Sequence, residues 1–205
     1  MATDSLAAAV DPGWQALARV AAGDAEAFST LVDSHQERLL RLCERLLGDA
    51  EEARDAAQEV FLKAYRKAGE ARPQGQVYTW LYRIAVNHCL NKLRRRKLVR
   101  FLRWEDPGER DAPAFDPPDG GADPAAALEA RRRWQATRRA IAKLPENQRA
   151  VVVLVRFEGL SYKQTAEVLG VTEGAVESRL VRAMRHLEAA QEAGDPGVSP
   201  GERRR

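Results

Sequence analysis

Apolar residues recur at three- and four-residue steps along most of the chain, which is the period of amphipathic α-helices. In the N-terminal half this pattern predicts three main helices: one capped by Asp24, one capped by Asp49, and one from about Val77 to Lys97. A shorter helix, Pro12 to Ala22, is predicted before them. The abundance of alanine, leucine, arginine and glutamate and the low aromatic share of 6% also favour helices over sheet.

The C-terminal half contains start and stop signals for two short helices in close succession. Ser161 and Gln164 have the spacing of a capping box, and Gly170 can adopt the positive φ that often ends a helix. Thr172 can then cap an arginine-bearing helix predicted from Glu173 to His186. This order predicts a helix-turn-helix whose second helix is the recognition helix for DNA. An ordinary helical hairpin is the alternative.

A proline-, glycine- and aspartate-rich segment, Gly108 to Pro124, separates the two halves. It has too little apolar surface to order itself, so it is predicted to be a linker. The fold class expected is therefore all-α, with two small helical domains joined by a flexible acidic linker. The predicted bounds are a helical domain at 14–98, the linker at 99–125, the helix-turn-helix domain at 126–190 (with helices near 126–143 and 146–157 before the motif) and a disordered tail at 191–205.

The net charge of +3 is modest, but its distribution along the chain is uneven. The segment from Ala71 to Trp104 has no acidic residue, whereas the next segment, Glu105 to Asp123, is strongly acidic. Two adjacent blocks of opposite sign suggest two different surroundings. No apolar run approaches the ~18 residues of a membrane span, and the N-terminus lacks the features of a secretory signal. A soluble, cytoplasmic protein is expected.

The two cysteines, Cys43 and Cys89, form neither a disulfide framework nor a CxxC motif. His88 and Cys89, with Cys43 or His35, are the candidate metal ligands, but adjacent helical residues point about 100° apart. Most isolated cysteines on helices fill the core, so neither a metal nor another cofactor is expected. No paired carboxylates, nucleophile motif or phosphate-binding loop supports an enzyme or a small-molecule substrate.

One face of the second main helix is unusual for a solvent-exposed surface. Asp55, Gln58, Glu59 and Leu62 lie at i, i+3, i+4 and i+7, so they form a single stripe. The stripe is either an ordinary solvated face or a docking face for a basic partner helix. The residues alone do not favour one over the other.

The third main helix combines aromatic and basic residues. It begins with Tyr78, Trp80 and Tyr82, and its polar side continues with asparagines and a basic run. Aromatic side chains stack on unpaired bases, asparagine bonds base edges and arginine holds phosphates, so nucleic-acid binding is favoured. The alternative is that Trp80 and Tyr82 belong partly to the core and that the run 94–97 is a basic helix end.

Three blocks together resemble the extracytoplasmic-function (ECF) group of bacterial sigma factors. They are DAEEARDAAQEVFLKAY at 49–65, YTWLYRIAVNHCLNKLRRR at 78–96 and the segment beginning LPENQR and continuing to GLSYKQTAEVLGVTEGAVESRLVRA at 144–183. They occur in the family's order and at its spacing, and they cover nearly everything outside the linker and the termini. DxxQEVF followed by TWLYRIAxN is the specific part, since a helix-turn-helix alone is common.

The resemblance implies a non-catalytic specificity subunit that binds core RNA polymerase, recognises the −35 element as duplex and the −10 element as melted strand, and is controlled by an anti-sigma factor. It implies three sets of site residues. Those for docking on the clamp helices of the polymerase's large subunit are Asp55, Gln58, Glu59 and Phe61. Those for the −10 element, with a flipped base held by the loop 72–77, are Arg72, Gln74, Gln76, Tyr78, Trp80, Asn87, Asn91, Lys92, Arg94 and Arg95. Those for the −35 element are Thr172, Glu177, Ser178, Arg179 and Arg182.

The chain departs from the family's pattern at two places. Glu177 occupies a position where the family often has lysine or arginine, so a phosphate or guanine contact is missing there or a cytosine amino group is read instead. The loop ARPQGQVYTW replaces a smaller, serine-containing loop. A free-standing regulator using the same helix-turn-helix is the competing hypothesis, and it leaves the stripe on the second helix without a role.

Overall fold

A computed structural model describes residues 11–73, 75–103 and 124–194 of the chain. These ranges contain eight α-helices, in chain order: α1 Pro12–Ala21, α2 Glu26–Leu47, α3 Ala50–Arg66, α4 Val77–Arg103, α5 Pro124–Lys143, α6 Glu146–Val152, α7 Tyr162–Leu169 and α8 Glu173–Gly194. A 3₁₀ turn, Ala68–Glu70, follows α3, and a π-helical turn, Val153–Phe157, continues α6. These described ranges contain no strand, and the all-α prediction is confirmed. The segments 104–123 and 195–205, which hold most of the predicted linker and tail, lie outside the described residues, as does Gln74.

The helices begin where the sequence predicts, because side chains satisfy their first amide groups. The Asp49 carboxylate accepts from the Glu52 amide at 2.9 Å, and Asp24 accepts from the Ala27 amide at 3.1 Å. In the capping box, the Ser161 hydroxyl accepts from the Gln164 amide at 3.1 Å. The Gln164 side chain accepts in return from the Ser161 amide. The caps predicted at Asp49 and Ser161 are confirmed, whereas the N-cap residue of α2 is Ala25 and Asp24 bonds the first turn from one residue earlier.

Two predicted helix ends differ from the structure, and a third predicted helix differs in type. α4 continues to Arg103 rather than ending near Lys97, and α8 continues to Gly194 rather than ending near His186. Most residues beyond the predicted ends are good helix formers, and the first prolines come only at 107 and 196. The helix predicted at 146–157 instead widens into a π-helical turn at Val153–Phe157.

The helices α1 to α4 pack around one core, to which the second half of the chain also contributes. The buried residues that the second half adds to this core are Ala150, Val153, Leu154, Leu160 and Val168. A second core lies between α5, α6, α7 and α8 and contains Val151, Val152, Val176 and Leu180 among its members. α6 therefore lies between two cores, and neighbouring residues on it face opposite halves of the molecule.

Polar contacts cross the same boundary between the two halves. Glu158, whose side chain is only 5% exposed, pairs with Arg45 of α2 and accepts a hydrogen bond from the Tyr82 hydroxyl of α4 at 2.6 Å. Arg149 donates from Nη1 to the Leu46 carbonyl at 2.8 Å, close to the end of α2. α4 also packs along α7. In this structure the two halves form one packed unit.

None of the helices in the described parts of the chain is long and apolar enough to cross a membrane.

Replacing Glu158 by glutamine is expected to destabilise the protein by about 3 kcal/mol, near the lower end of the range for breaking a buried ion pair, because Arg45 is 18% exposed. Urea unfolding, which gives the free energy of unfolding, measures the change. The matched control is Glu37→Gln, since Glu37 forms an exposed pair with Arg41 on α2 and should contribute less than ~0.5 kcal/mol. Equal effects of the two substitutions would contradict this account of the boundary.

Candidate nucleic-acid interface

The stripe predicted on the second main helix lies on the outer face of α3. Asp55, Gln58 and Glu59 are exposed, and Leu62 is 50% exposed. Phe61 is half-buried, and its ring packs edge-on against Phe28 of α2 at 6.3 Å between centroids. The stripe therefore presents two carboxylates, an amide and an apolar side chain to solvent, while Phe61 also anchors α3 to α2.

The loop before α4 and the first turn of α4 combine exposed polar residues with half-buried aromatic ones. Arg72 and Gln76 are exposed. Trp80 is half-buried, with its ring 6.0 Å from that of Trp14. The Tyr78 hydroxyl accepts a hydrogen bond from the Gln164 side chain of α7 at 3.1 Å. The aromatic edge of this surface is thus formed with help from α1 and touches the second half of the molecule.

Tyr82 does not belong to the surface, contrary to its grouping with the two preceding aromatic residues. It is 2% exposed, and its hydroxyl donates to Glu158. Burial and this hydrogen bond together raise the pKa of Tyr82 far above its ordinary value. The alternative interpretation of Tyr82 as a core residue is correct.

The middle of α4 carries the polar residues predicted to contact DNA. Asn87, Asn91, Arg94 and Arg95 are exposed. Arg94 donates to the Asn91 side-chain oxygen at 3.2 Å, and it lies 3.9 Å from Glu146 of α6. An arginine held beside an asparagine provides a phosphate donor next to a group that can bond a base edge.

Lys92 is placed differently from these four residues. It is half-buried, and its Nζ lies 3.4 Å from the carboxylate of Glu52 on α3, which also pairs with Arg96. Glu52 thus neutralises part of the basic run. The sequence did not reveal this neutralisation, because no acidic residue lies near Lys92 along the chain. Glu52 reaches Lys92 only through the packing of α3 against α4.

His88 lies between the α3 stripe and the polar face of α4. Its Nδ1 is 2.5 Å from the Lys63 ammonium, an arrangement that suits a neutral imidazole accepting from Lys63. Burial, and then the positive charge of Lys63, lower the pKa of His88. The imidazole is therefore predominantly neutral at neutral pH and adds little charge to the polar face of α4.

The two cysteines are in contact inside the first core. Cys43 and Cys89 are both buried and form no disulfide. The hydrogen bond with the Cys43 thiol is the largest cause, and burial the second, of the raised pKa of Cys89. Within the described residues, no group of three or more histidine, cysteine, aspartate or glutamate side chains is arranged to hold a metal ion. The thiols fill the space between α2 and α4.

The outer face of α8 carries the residues predicted to enter the major groove. Glu177, Ser178 and Arg182 are exposed, while Arg179 is half-buried. Arg182 folds along the helix: its Nε donates to the Ser178 carbonyl at 3.1 Å and its Nη2 to the Ser178 hydroxyl at 3.2 Å. Ser178 therefore fixes the direction of the Arg182 guanidinium on this face.

Thr172 and Val181 complete the outer face of α8. The Thr172 hydroxyl accepts from the Ala175 amide at 3.2 Å, so Thr172 caps α8 as predicted while remaining exposed. Sequence reasoning did not single out Val181, which is 46% exposed. Its spacing of four residues from Glu177 was the available signal. An exposed apolar side chain on a recognition helix suits contact with a thymine methyl group.

Two family models match the chain in the order of its two halves. Sigma-70 region 2 matches residues 31–99, and region 4 of Sigma-70 matches residues 134–187. The RNA polymerase sigma-H factor of Pseudomonas aeruginosa is 38% identical over 185 residues, covering 86% of this chain and 92% of that protein. The chain belongs to the ECF group of RNA polymerase sigma factors.

Further relatives agree with this assignment. The ECF RNA polymerase sigma factor SigM of Mycobacterium tuberculosis is 39% identical over 171 residues, covering 83% of this chain and 80% of that protein. Among solved structures, CnrH in complex with the cytosolic domain of CnrY superimposes with a TM-score of 0.63 at 28% identity, covering 90% of this chain and all of that one. As an ECF sigma factor, the protein binds core RNA polymerase and directs promoter recognition and transcription initiation.

The stability of this sigma factor is expected to fall as the pH is lowered through the range in which two half-buried histidines titrate. Burial lowers the pKa of both His35 and His88 in the folded state, so below pH ~6.5 the unfolded chain binds protons that the folded chain does not. Their contribution is therefore fully present above pH ~6.5 and is lost as the pH falls towards the folded pKa values.

Unfolding in urea at several pH values between about 7.5 and 5 measures this effect, with a His35→Gln/His88→Gln variant as the comparison. Carboxylates titrate in both proteins, so the difference between the two slopes isolates the histidines. Wild type is expected to lose more stability than the variant over this range. Parallel pH profiles would show that the histidines do not titrate differently on folding.

Proposed function

We propose that the α3 stripe is the polymerase-docking face of this sigma factor, with Asp55, Gln58 and Glu59 as its polar contacts and Phe61 as its anchor. The observation that carries the proposal is that the two carboxylates are exposed beside the exposed Leu62, while the ring of Phe61 packs on α2. An acidic stripe that ends in an apolar side chain complements a basic helix with an apolar contact point, and such faces are used when one helix docks on another. The partner surface is the clamp helices of the large polymerase subunit.

The −10 element is assigned to the loop before α4 and to the polar face of α4. The exposed members are Arg72, Gln76, Asn87, Asn91, Arg94 and Arg95, the half-buried ones are Tyr78, Trp80 and Lys92, and Gln74 lies outside the described residues. The half-buried aromatic rings at one end offer surfaces for stacking on unpaired bases, and the arginines at the other end suit phosphates. One helix thus carries both parts of a single-strand site.

The −35 element is assigned to the outer face of α8, through Thr172, Glu177, Ser178, Arg179 and Arg182. This face is the exposed side of the helix-turn-helix, and the bonds to Ser178 hold the Arg182 guanidinium along it. A guanidinium in the major groove suits bidentate bonding to guanine, and Glu177 suits the cytosine amino group. The −35 element would be read as duplex.

Recognition of both elements requires the two halves to separate. The elements lie about 25 base pairs apart, which corresponds to roughly 85 Å along B-DNA, whereas α4 and α7 are in contact in this structure. Two weak sites on one chain bind tightly together once both can be engaged, because the second binding event becomes intramolecular. The packed unit is therefore the unbound form, and the boundary around Glu158 opens on promoter binding.

An anti-sigma factor is the proposed regulator of this opening. Two of the solved structures similar to this chain are complexes, CnrH with the cytosolic domain of CnrY and RpoE of Bartonella quintana with the anti-sigma factor NepR. A partner that holds the two halves together would prevent the two DNA-binding faces from binding their promoter elements at the same time. We further propose that the protein is non-catalytic, takes no cofactor or small-molecule substrate, and acts in the cytoplasm, where RNA polymerase is.

The docking assignment predicts that Asp55→Arg/Glu59→Arg abolishes co-elution with core RNA polymerase in gel filtration, because two attractive charges become repulsive. Asp33→Arg/Glu37→Arg is the matched control, since both residues are exposed on α2 and the change in net charge is the same. The control is expected to co-elute like wild type. Co-elution of the first variant at wild-type affinity would remove α3 as the docking face.

The −35 assignment predicts that Arg182→Ala weakens selection at one or two −35 positions by about 1–3 kcal/mol if the guanidinium makes a bidentate base contact. Transcription by the reconstituted holoenzyme from templates randomised in the −35 region, followed by sequencing, measures that preference. Arg156→Ala serves as the control, because Arg156 is exposed and the same charge is lost away from α8. An unchanged −35 preference in Arg182→Ala would refute the role of Arg182.

A further inference from the structure

The loop assigned to the −10 element is held in place by the start of α1, more than 60 residues earlier in the chain. We propose that Asp11, Gly13 and Trp14, here called the N-terminal clamp, position Gly75, Gln76 and Val77 at the end of the loop before α4 and thereby set the base preference of this sigma factor at the −10 element. The inference rests on the proposed role of the loop in reading −10 bases. The clamp residues themselves would be positioning residues, acting through the loop rather than touching DNA.

Asp11 joins the beginnings of two helices. Its Oδ1 accepts from the Gly13 amide at 2.8 Å, which caps α1, and its Oδ2 accepts from the Val77 amide at 3.0 Å, the first amide of α4. Helix N-termini leave their first amides without partners within the helix and carry a partial positive charge. The single Asp11 carboxylate therefore stabilises the N-termini of both α1 and α4. The first residue of α4 is consequently tied to the first turn of α1.

Trp14 holds the loop itself. Its side chain is 5% exposed, and the indole Nε1 donates to the Gly75 carbonyl at 2.8 Å. Gly75 has a φ of +64°, a conformation that favours glycine, so the loop turns at the residue whose carbonyl is held. The Trp14 ring also lies 6.0 Å from Trp80, one of the aromatic residues assigned to the −10 surface. A single side chain thus contacts the loop and the helix that follows it.

Gly13 allows the close approach that these bonds require. A Cβ atom at position 13 would lie 2.2 Å from Cγ1 and 2.9 Å from Cβ of Val77, which is fully buried. The start of α1 could not carry a larger residue there without moving away from α4. Steric fit and two hydrogen bonds, made by three different residues, therefore fix the same point of the chain.

These contacts bear on specificity because Gln76 belongs to the segment that the clamp holds. Its side chain is exposed, and it lies between the two residues whose backbone is bonded by the clamp, Gly75 and Val77. Selective contact with a base requires its partners to be held within about 0.5 Å of the productive geometry. The clamp gives this loop, whose sequence departs from the family's pattern, a fixed backbone from which to present its side chains.

The test uses variants that remove single bonds and keep the packing. Trp14→Phe retains an aromatic ring but loses the donor to Gly75, and Asp11→Asn retains the shape but leaves one acceptor for two amides. Gln15→Ala, at an exposed position on α1, is the matched control. Each protein is assembled with core RNA polymerase, and transcripts from templates randomised in both the −10 and the −35 regions are sequenced.

We expect Trp14→Phe and Asp11→Asn to change the relative use of bases at one or more −10 positions by roughly two- to tenfold, the effect of losing one hydrogen bond. The −35 preferences should stay at wild-type values, and Gln15→Ala should leave both preferences unchanged. A uniform drop in transcription from all templates, without a change in −10 preference, would mean that the residues are only structural and would overturn the proposal.

Arg72→Ala and Gln76→Ala, measured on the same templates, separate the failure of the clamp from the failure of the loop assignment. If these loop variants change the −10 preference and the clamp variants do not, the loop reads bases but α1 does not position it, and the inference is wrong. If the loop variants also leave the preference unchanged, the proposed role of the loop is wrong, and the inference fails with it.

Discussion

The burial of one carboxylate, that of Glu158, is the constraint on which the arrangement of the two halves depends. A charged group with a side chain only 5% exposed is costly unless it is paired and hydrogen-bonded. Its partners, Arg45 and Tyr82, belong to α2 and α4 of the first half, whereas Glu158 follows the π-helical turn of the second. The packed unit thus supplies what Glu158 needs, and separation of the halves must replace these partners with water.

This constraint gives α4 two functions that compete for the same helix. Its inner face carries Tyr82 into the boundary with the second half, and its first turn carries Tyr78, whose hydroxyl bonds Gln164 of α7. Its outer face carries the residues assigned to the melted strand. A change that loosens the boundary therefore also changes the surroundings of the surface assigned to the promoter, so that the stability of the packed unit and the proposed recognition depend on the same helix.

The features that sequence reasoning predicted correctly depend on local interactions. Asp49, Ser161 and Gly170 act within a few residues of their own positions, and the caps and the left-handed glycine appear where they were expected. The outer stripe of α3 and the outer face of α8 were predictable for the same reason, since helical spacing alone decides which residues share a face.

The features that could not be predicted depend on residues distant in the sequence. Glu52 reaches Lys92 only because α3 packs beside α4, and the Tyr82–Glu158 bond joins positions 76 residues apart. The two buried thiols are a further case, because neither residue type nor spacing places Cys43 against Cys89.

The contact between the two thiols has a practical consequence. Both native thiols are buried and the pKa of Cys89 is raised, so they react slowly, and a cysteine introduced at the surface becomes a selective attachment point for fluorescent labels. With one such cysteine in each half, the distance between the two halves can be measured while Cys43 and Cys89 stay unlabelled.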